Sequence, residues 1–319
     1  MSSHMKGRVA VVGAGVMGLT TAVLLRESGY DPVVFADEWE ATTSSVAPAL
    51  WLPYDAEPER LVTAWALLSY GRFQELARVP GTGVSMVDFQ YRSLRENAAL
   101  PLWAESIGYR RLGRGEHFSS GFQTRVPLMD TTHYLGYLRQ RAGLTEGSVQ
   151  RGHLPSLEEI PDNFRLVVNC AGYGARSLVP DEHMEPRRGQ LVVVERLEKK
   201  QAFVLDEPLT YVIPRENDCV FGGVNMLSDS TVPDDDLTNQ IVNRCSRMLE
   251  LPAPPQIRAT LVGIRPKRNI GVRVEPSWLE DGRVVIHNYG HGGCGLSLSW
   301  GCAQKAVELV RTFTVVRTR

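Results

Sequence analysis

Two glycine-rich stretches near opposite ends of the chain carry the residue types and spacings most able to do chemistry. In "RVAVVGAGVMGLTTAVLLRESGYDPVVFADE", Gly13, Gly15 and Gly18 follow the apolar run Arg8–Val12 in G-x-G-x-x-G spacing. Gly13 suits a tight turn, Gly15 a close approach of backbone to a pyrophosphate, and Gly18 close packing of helix on strand. Val16 and Met17 open a helical pattern whose first N–H groups would face that anion. The pattern ends at Gly29, and a second apolar run, Pro32–Ala36, closes with Asp37 and Glu38. Acids roughly 20 residues beyond the glycines suit a ribose 2′-hydroxyl and repel a 2′-phosphate, so NAD or FAD is expected over NADP.

The second stretch is "VIHNYGHGGCGLSLSWGCA", residues 285–303, which holds Gly290, Gly292, Gly293, Gly295 and Gly301 between an apolar strand and an apolar helix. Backbone freedom at that density costs folding entropy, which leaves two readings open: a loose turn, or a ligand pressed against bare backbone. His287 and His291 invite a general-base reading. Packing and backbone-bonding roles are the expectation for both. A third segment, "TTSSVAPALWLPY" at 42–54, begins with Thr42, Thr43 and Ser44, hydroxyls that suit either phosphate or simple capping.

The elements that must position these residues follow from periodicity. Glu59–Arg78 is helical in pattern, and Val84–Leu94 and Arg188–Glu195 alternate as strands do. Tyr211–Pro214 and Cys219–Gly223 read as a hairpin joined by "REND". "RLVVNCAGYGARSL" (165–178) resembles a later strand and turn of a dinucleotide-binding sheet, and Asp234–Leu251 reads as an acid-capped helix. Ile257–Ile264 and Val272–Val274 read as strands. The sum is an α/β fold in which a cofactor domain is interrupted by a β-rich substrate domain.

Composition narrows the function classes. A chain of 319 residues that is 43% hydrophobic has ample material for a core. A net charge of −1 supports neither nucleic-acid nor membrane-surface binding. No apolar run reaches bilayer length and no signal peptide is legible, while "MSSHM" at 1–5 reads as an expression-vector remnant. The five scattered cysteines form no metal or disulfide pattern, so no metal is expected and a reducing cytoplasm fits.

"HNYGHGGCGLSLSWGCA", together with the N-terminal fingerprint, resembles the D-amino-acid oxidase family of FAD enzymes. "ALWLPY", "VVNCAGYGAR", "RGQLVVVE", "YVIP", "FGGV" and "GIRPKR" follow in family order, and the resemblance spans about residues 7 to 311. It implies a Rossmann-like FAD-binding domain of glutathione-reductase type (6–80, 125–185 and 266–315), interleaved with a mixed-sheet α+β substrate domain (81–124 and 186–265). It also implies non-covalent FAD, and hydride transfer from a D-amino acid to flavin N5. Reoxidation by O2 then gives H2O2, and the imino acid hydrolyses. A homodimer stays open.

Under that resemblance Arg265 and Tyr211 meet the substrate carboxylate, and the Gly293 carbonyl accepts from its amine. Gly13, Gly15, Val16, Met17 and Gly18 hold the pyrophosphate, Asp37 and Glu38 the ribose, and Thr42, Thr43 and Ser44 phosphate. Ala49 and Leu50 lie on one edge of the flavin. Gly290, Gly292, Gly295, Leu296 and Ser297 lie on the other, where a helix dipole would stabilise charge on the reduced ring. Leu50, Leu52, Tyr54, Ile213 and Asn225 line the side-chain pocket and favour neutral apolar D-amino acids. Arg215 and Arg268 leave an acidic substrate open, and glycine or a specialised amine is a further alternative. From other classes, an NAD-dependent dehydrogenase or a non-catalytic flavin-binding protein remains. Two departures stand out: Pro48, where relatives have glycine or alanine, and Glu207, where a lid tyrosine is expected on a longer segment.

Overall fold

The computed structural model describes residues 6–198 and 201–315; the remnant expected at 1–5 lies outside them. The chain runs β1 (Arg8–Val12), α1 (Val16–Glu27), β2 (Asp31–Ala36), α2 (Glu59–Leu76), β3 (Val84–Ser93), α3 (Leu102–Ile107), β4 (Arg110–Leu112), β5 (Ser120–Met129) and α4 (Thr131–Arg141). It continues through β6 (Val149–Arg151), β7 (Leu166–Asn169), α5 (Ala175–Leu178), β8 (Met184–Glu195), β9 (Ala202–Leu205), β10 (Thr210–Pro214) and β11 (Asp218–Gly222). The last elements are β12 (Met226–Leu227), α6 (Asp235–Met248), β13 (Ile257–Arg268), β14 (Pro276–Trp278), β15 (Val284–His287) and α7 (Gly295–Val315).

The first sheet has the order β14-β15-β7-β1-β2-β6 and is parallel except for β14. Its inner strands β15, β7, β1 and β2 are apolar on both faces because both are covered, whereas the edge strands β6 and β14 are partly exposed. Val9 and Val11 enter the main core, and Ala10 and Val12 a second cluster with Phe35 and Phe164. Helix α7 packs on α1 and α2 and is buried along much of its length. The second sheet, mostly antiparallel, runs β12-β8-β11-β10-β9-β3-β5-β4, with β13 along the other side of β8. Alternation decides its faces: Val192 and Val194 pack under α6, while Leu191 and Val193 join the main core. The Asp234 side chain caps α6 by accepting from the Leu237 N–H at 2.9 Å.

Strand β13 is longer than the pattern at 257–264 implied, whereas 272–274 makes only an isolated bridge, Arg273 to Tyr289. Gly271, at φ +105°, turns the chain there, and the Val272 N–H goes to the Glu57 carbonyl instead of to a strand partner. Strands β5, β8 and β13 lie wholly in the second sheet. The junctions expected at 124/125, 185/186 and 265/266 therefore fall inside continuous strands. We propose that the two units divide at the ends of those strands instead.

Candidate active site

A cavity of about 510 Å³ runs from the β1–α1 turn to the face of the second sheet that joins the main core. At its first end the chain turns through Gly13 at φ +107°, in the left-handed region where glycine is favoured. A Cβ at Gly13 would strike the Cys170 carbonyl, and one on Gly18 would strike the Gly13 carbonyl. Gly18 thus serves helix packing and does not itself line the cavity. Helix α1 has no side-chain cap from Gly15; only the Val16 N–H has a partner in Ser44, at 3.0 Å. Met17, Asp37, Glu38, Thr42 and Thr43 line the same end. The Thr42 hydroxyl is buried without a hydrogen-bond partner, as is the Asn288 side-chain oxygen, which also faces the cavity.

The other end is built by strands. Arg265 on β13 lies over Gly189 of β8, where a Cβ would sit 2.6 Å from its guanidinium. Tyr211 on β10 leans over Gly222 and Gly223, whose missing side chains make the room. So cleared, the two side chains reach across the sheet and meet in a hydrogen bond. Arg265 also donates to the Val224 carbonyl at 2.8 Å. Burial opposes its charge, but Tyr54, Tyr211 and Asp55 hold its pKa above the usual arginine value. Burial pushes the Tyr211 phenol up to about 12 and raises that of Tyr54, against the pull of Arg265. The cation is therefore permanent and both phenols are neutral.

Tyr54 occupies a place the sequence did not assign: its hydroxyl sits where a Gly293 side chain would be, beside the guanidinium. Leu50, Leu52 and Ile213 line the cavity, and Leu52 is fixed by its N–H donating to Ser297 Oγ at 2.9 Å. Ala49 (φ +57°), Pro48, Gly292, Gly293, Gly295, Leu296 and Ser297 also face it, with α7 starting at Gly295 after a short 3-10 turn. Gly290 does not line it; its missing side chain makes room for Arg268. Asn225 is exposed and donates to Asp55 at 3.1 Å, outside the cavity lining. Arg215 is committed to Asp218 (2.6 and 2.9 Å) and Arg268 to Asp181 (2.8 Å), and neither faces the cavity. Tyr91, Val204, Asp206 and Leu209 do line it. Strand alternation signals Tyr91 on β3 and Val204 on β9, whereas Asp206 and Leu209 lie in the connection between β9 and β10.

Both histidines are buried, but neither side chain shows the backbone bonding expected of it, and His291 Nε2 is buried without a hydrogen-bond partner. His287 is bonded through Nε2 to Ser277 (2.8 Å) and lies off the cavity, its pKa pushed down to about 3 by burial and Arg273. His291 faces the cavity, and burial lowers it to about 3 as well.

Residues 8–309 match the family model described as "DAO: FAD dependent oxidoreductase". The chain belongs to this family. It is 41% identical to a D-amino-acid oxidase of Streptomyces coelicolor over 95% of this chain and 96% of that one, and 39% identical to a D-amino-acid oxidase of Rubrobacter xylanophilus over 97% of each. Glycine oxidase from Geobacillus kaustophilus has the same fold, with a TM-score of 0.77 at 16% identity over 96% of this chain and 95% of that one.

An FAD-dependent oxidoreductase must hold a dinucleotide, and the residues present fit one. The Gly13–Gly18 cradle, the free N–H groups of α1, and the unpartnered Thr42 and Asn288 oxygens converge on one elongated cavity. Pro48 offers no N–H to whatever lies beside it.

Proposed function

We propose that this FAD-dependent oxidoreductase is an oxidase of D-amino acids. The observation that carries the reading is the half-buried Arg265, met by Tyr211 and Tyr54, at the far end of the cavity that begins at the dinucleotide cradle. A planar guanidinium suits a bidentate carboxylate grip, and neutral phenols beside it donate to the same oxygens. The chemistry supplied by bound FAD is acceptance of a hydride from the substrate α-carbon and reoxidation by O2 to H2O2. The chain's own contribution is placement. Arg265 and the phenols fix the carboxylate, and the Gly293 carbonyl accepts from the amine, leaving the α-hydrogen as the one group aimed at the acceptor. The N-terminal end of α7, whose Gly295, Leu296 and Ser297 line the cavity, would offer a positive pole to an anionic group held there.

No side chain in this arrangement needs to act as a base. His291, with a pKa near 3, stays neutral and weakly basic. The amine therefore loses its proton to solvent on entry. Leu50, Leu52 and Ile213 give the first part of the side-chain space an apolar wall, which fits neutral D-amino acids. Arg215 and Arg268 are tied to Asp218 and Asp181, and among the described residues Arg265 is the one cation lining the cavity, so D-aspartate and D-glutamate are disfavoured. All five cysteines are buried and free, which supports a cytoplasmic setting.

The test is peroxide release from matched D and L enantiomers. Turnover of neutral D-amino acids with silence toward the L forms is expected, and equal turnover of both, or of neither, refutes the reading.

A further inference from the structure

The short connection between β9 and β10, residues 206–209, brings a carboxylate to the cavity. Asp206 and Tyr91 both line it, on the same sheet that carries Tyr211 and Arg265. Tyr211 pairs with Val204 and Thr210 with Leu205, so Asp206 follows on the strand beside Tyr211. One strand across and two residues along is roughly 8 Å between backbones, a span suited to the stem of a long side chain. Val204 and Leu209 give that span an apolar wall. Tyr91 is held by stacking on Phe122, ring centroids 5.3 Å apart. Its phenol is raised by burial and then by the Asp206 carboxylate, which places the two groups together.

Asp206 is incompletely compensated. One carboxylate oxygen accepts from the Glu207 N–H at 2.8 Å. Among the described residues no arginine or lysine forms an ion pair with it; Arg95, the cation nearest Tyr91, pairs with Glu207 at the solvent-exposed rim. Asp206 is a half-exposed acid that lines the substrate cavity, so its carboxylate is available to a cation that arrives with the ligand.

We propose that Asp206, with the Tyr91 hydroxyl beside it, receives the cationic end of a substrate side chain, so that D-lysine-like amino acids are substrates of this enzyme. The inference rests on the amino-acid oxidase reading above. Arg265 takes the carboxylate, the apolar wall takes the methylenes, and Asp206 takes the terminal ammonium. The same charge repels a terminal carboxylate, which makes Asp206 a specificity residue in both directions.

The test compares kcat/KM of the FAD-loaded enzyme for three D-amino acids of similar reach: D-lysine, neutral D-norleucine and anionic D-2-aminoadipate. In the wild type, D-lysine should exceed D-2-aminoadipate at least about tenfold, the scale of one charge-assisted hydrogen bond. Asp206→Asn should lower the D-lysine to D-norleucine ratio by about the same factor, and Asp206→Glu should retain it. Near-equal wild-type values for D-lysine and D-2-aminoadipate overturn the proposal without any variant, as does a ratio unchanged in Asp206→Asn. Turnover of D-norleucine in those cases leaves the oxidase reading standing. Failure of the wild type to oxidise any of the three overturns both.

Discussion

At Arg265 the chain holds a half-buried positive charge against the cavity, beside two phenols, Asp55 and one backbone carbonyl. A fixed cation so placed suits an anionic group of a ligand. Arg265→Ala should lower kcat/KM by about 2–5 kcal/mol, since it leaves a substrate carboxylate unpaired in a desolvated site. Steady-state kinetics at saturating FAD measure this, and unchanged values remove Arg265 from the site. Tyr54→Phe should cost about 1 kcal/mol, mainly in KM, if its hydroxyl donates to the same carboxylate. His291→Asn should leave the pH dependence of kcat/KM in place, because the substrate amine rather than this histidine sets it; loss of a titration in the variant would contradict that. Gly13, Gly15 and Arg265 stand out in the sequence by motif and resemblance, and Tyr54 as a pocket residue, and all four line the cavity. Tyr91 and Asp206 do not stand out, because their strand and connection meet only in the folded sheet.

At the scale of elements, the site depends on where side chains are missing. Gly189, Gly222 and Gly223 clear a strip of the second sheet for Arg265 and Tyr211 to cross. Gly222→Ala should displace the Tyr211 ring and weaken substrate binding while sparing FAD binding. Gly18→Ala drives a Cβ into the Gly13 carbonyl and should loosen both FAD affinity and the β1–α1 packing by roughly 1–3 kcal/mol. Titration of the apoprotein with FAD separates the two variants. The β1–α1–β2 unit was legible because strand, glycines, helix and acid keep one local register. Residues 272–274 misled because two valines look like a strand, while the backbone bonds that decide the matter come from Glu57 and Tyr289, far away in sequence. The expected pocket role of Asn225 meets a similar obstacle: Asp55 draws it to the surface.

For the whole molecule, the two sheets share one main core, so the cradle and the carboxylate end are held as parts of a single packed body. His287 and His291 sit within it at a pKa of about 3, against an ordinary 6.5. The unfolded chain protonates them below about pH 6.5 while the folded chain does not, so their contribution is intact above that pH and is lost as pH falls toward 3. Denaturation midpoints should decline through this window, and His287→Asn should make the decline shallower by about one proton. The connection at 206–209 leaves no length for a long lid over the substrate end, so turnover should depend little on viscosity. The central claim is that one cavity presents a D-amino acid to bound FAD. Anaerobic addition of a neutral D-amino acid to the FAD-loaded enzyme tests it most directly. The account predicts bleaching of the visible flavin absorption by the D form, none by the L form, and recovery on admitting O2. A flavin that stays oxidised with every D-amino acid, or bleaches equally with both enantiomers, would contradict it.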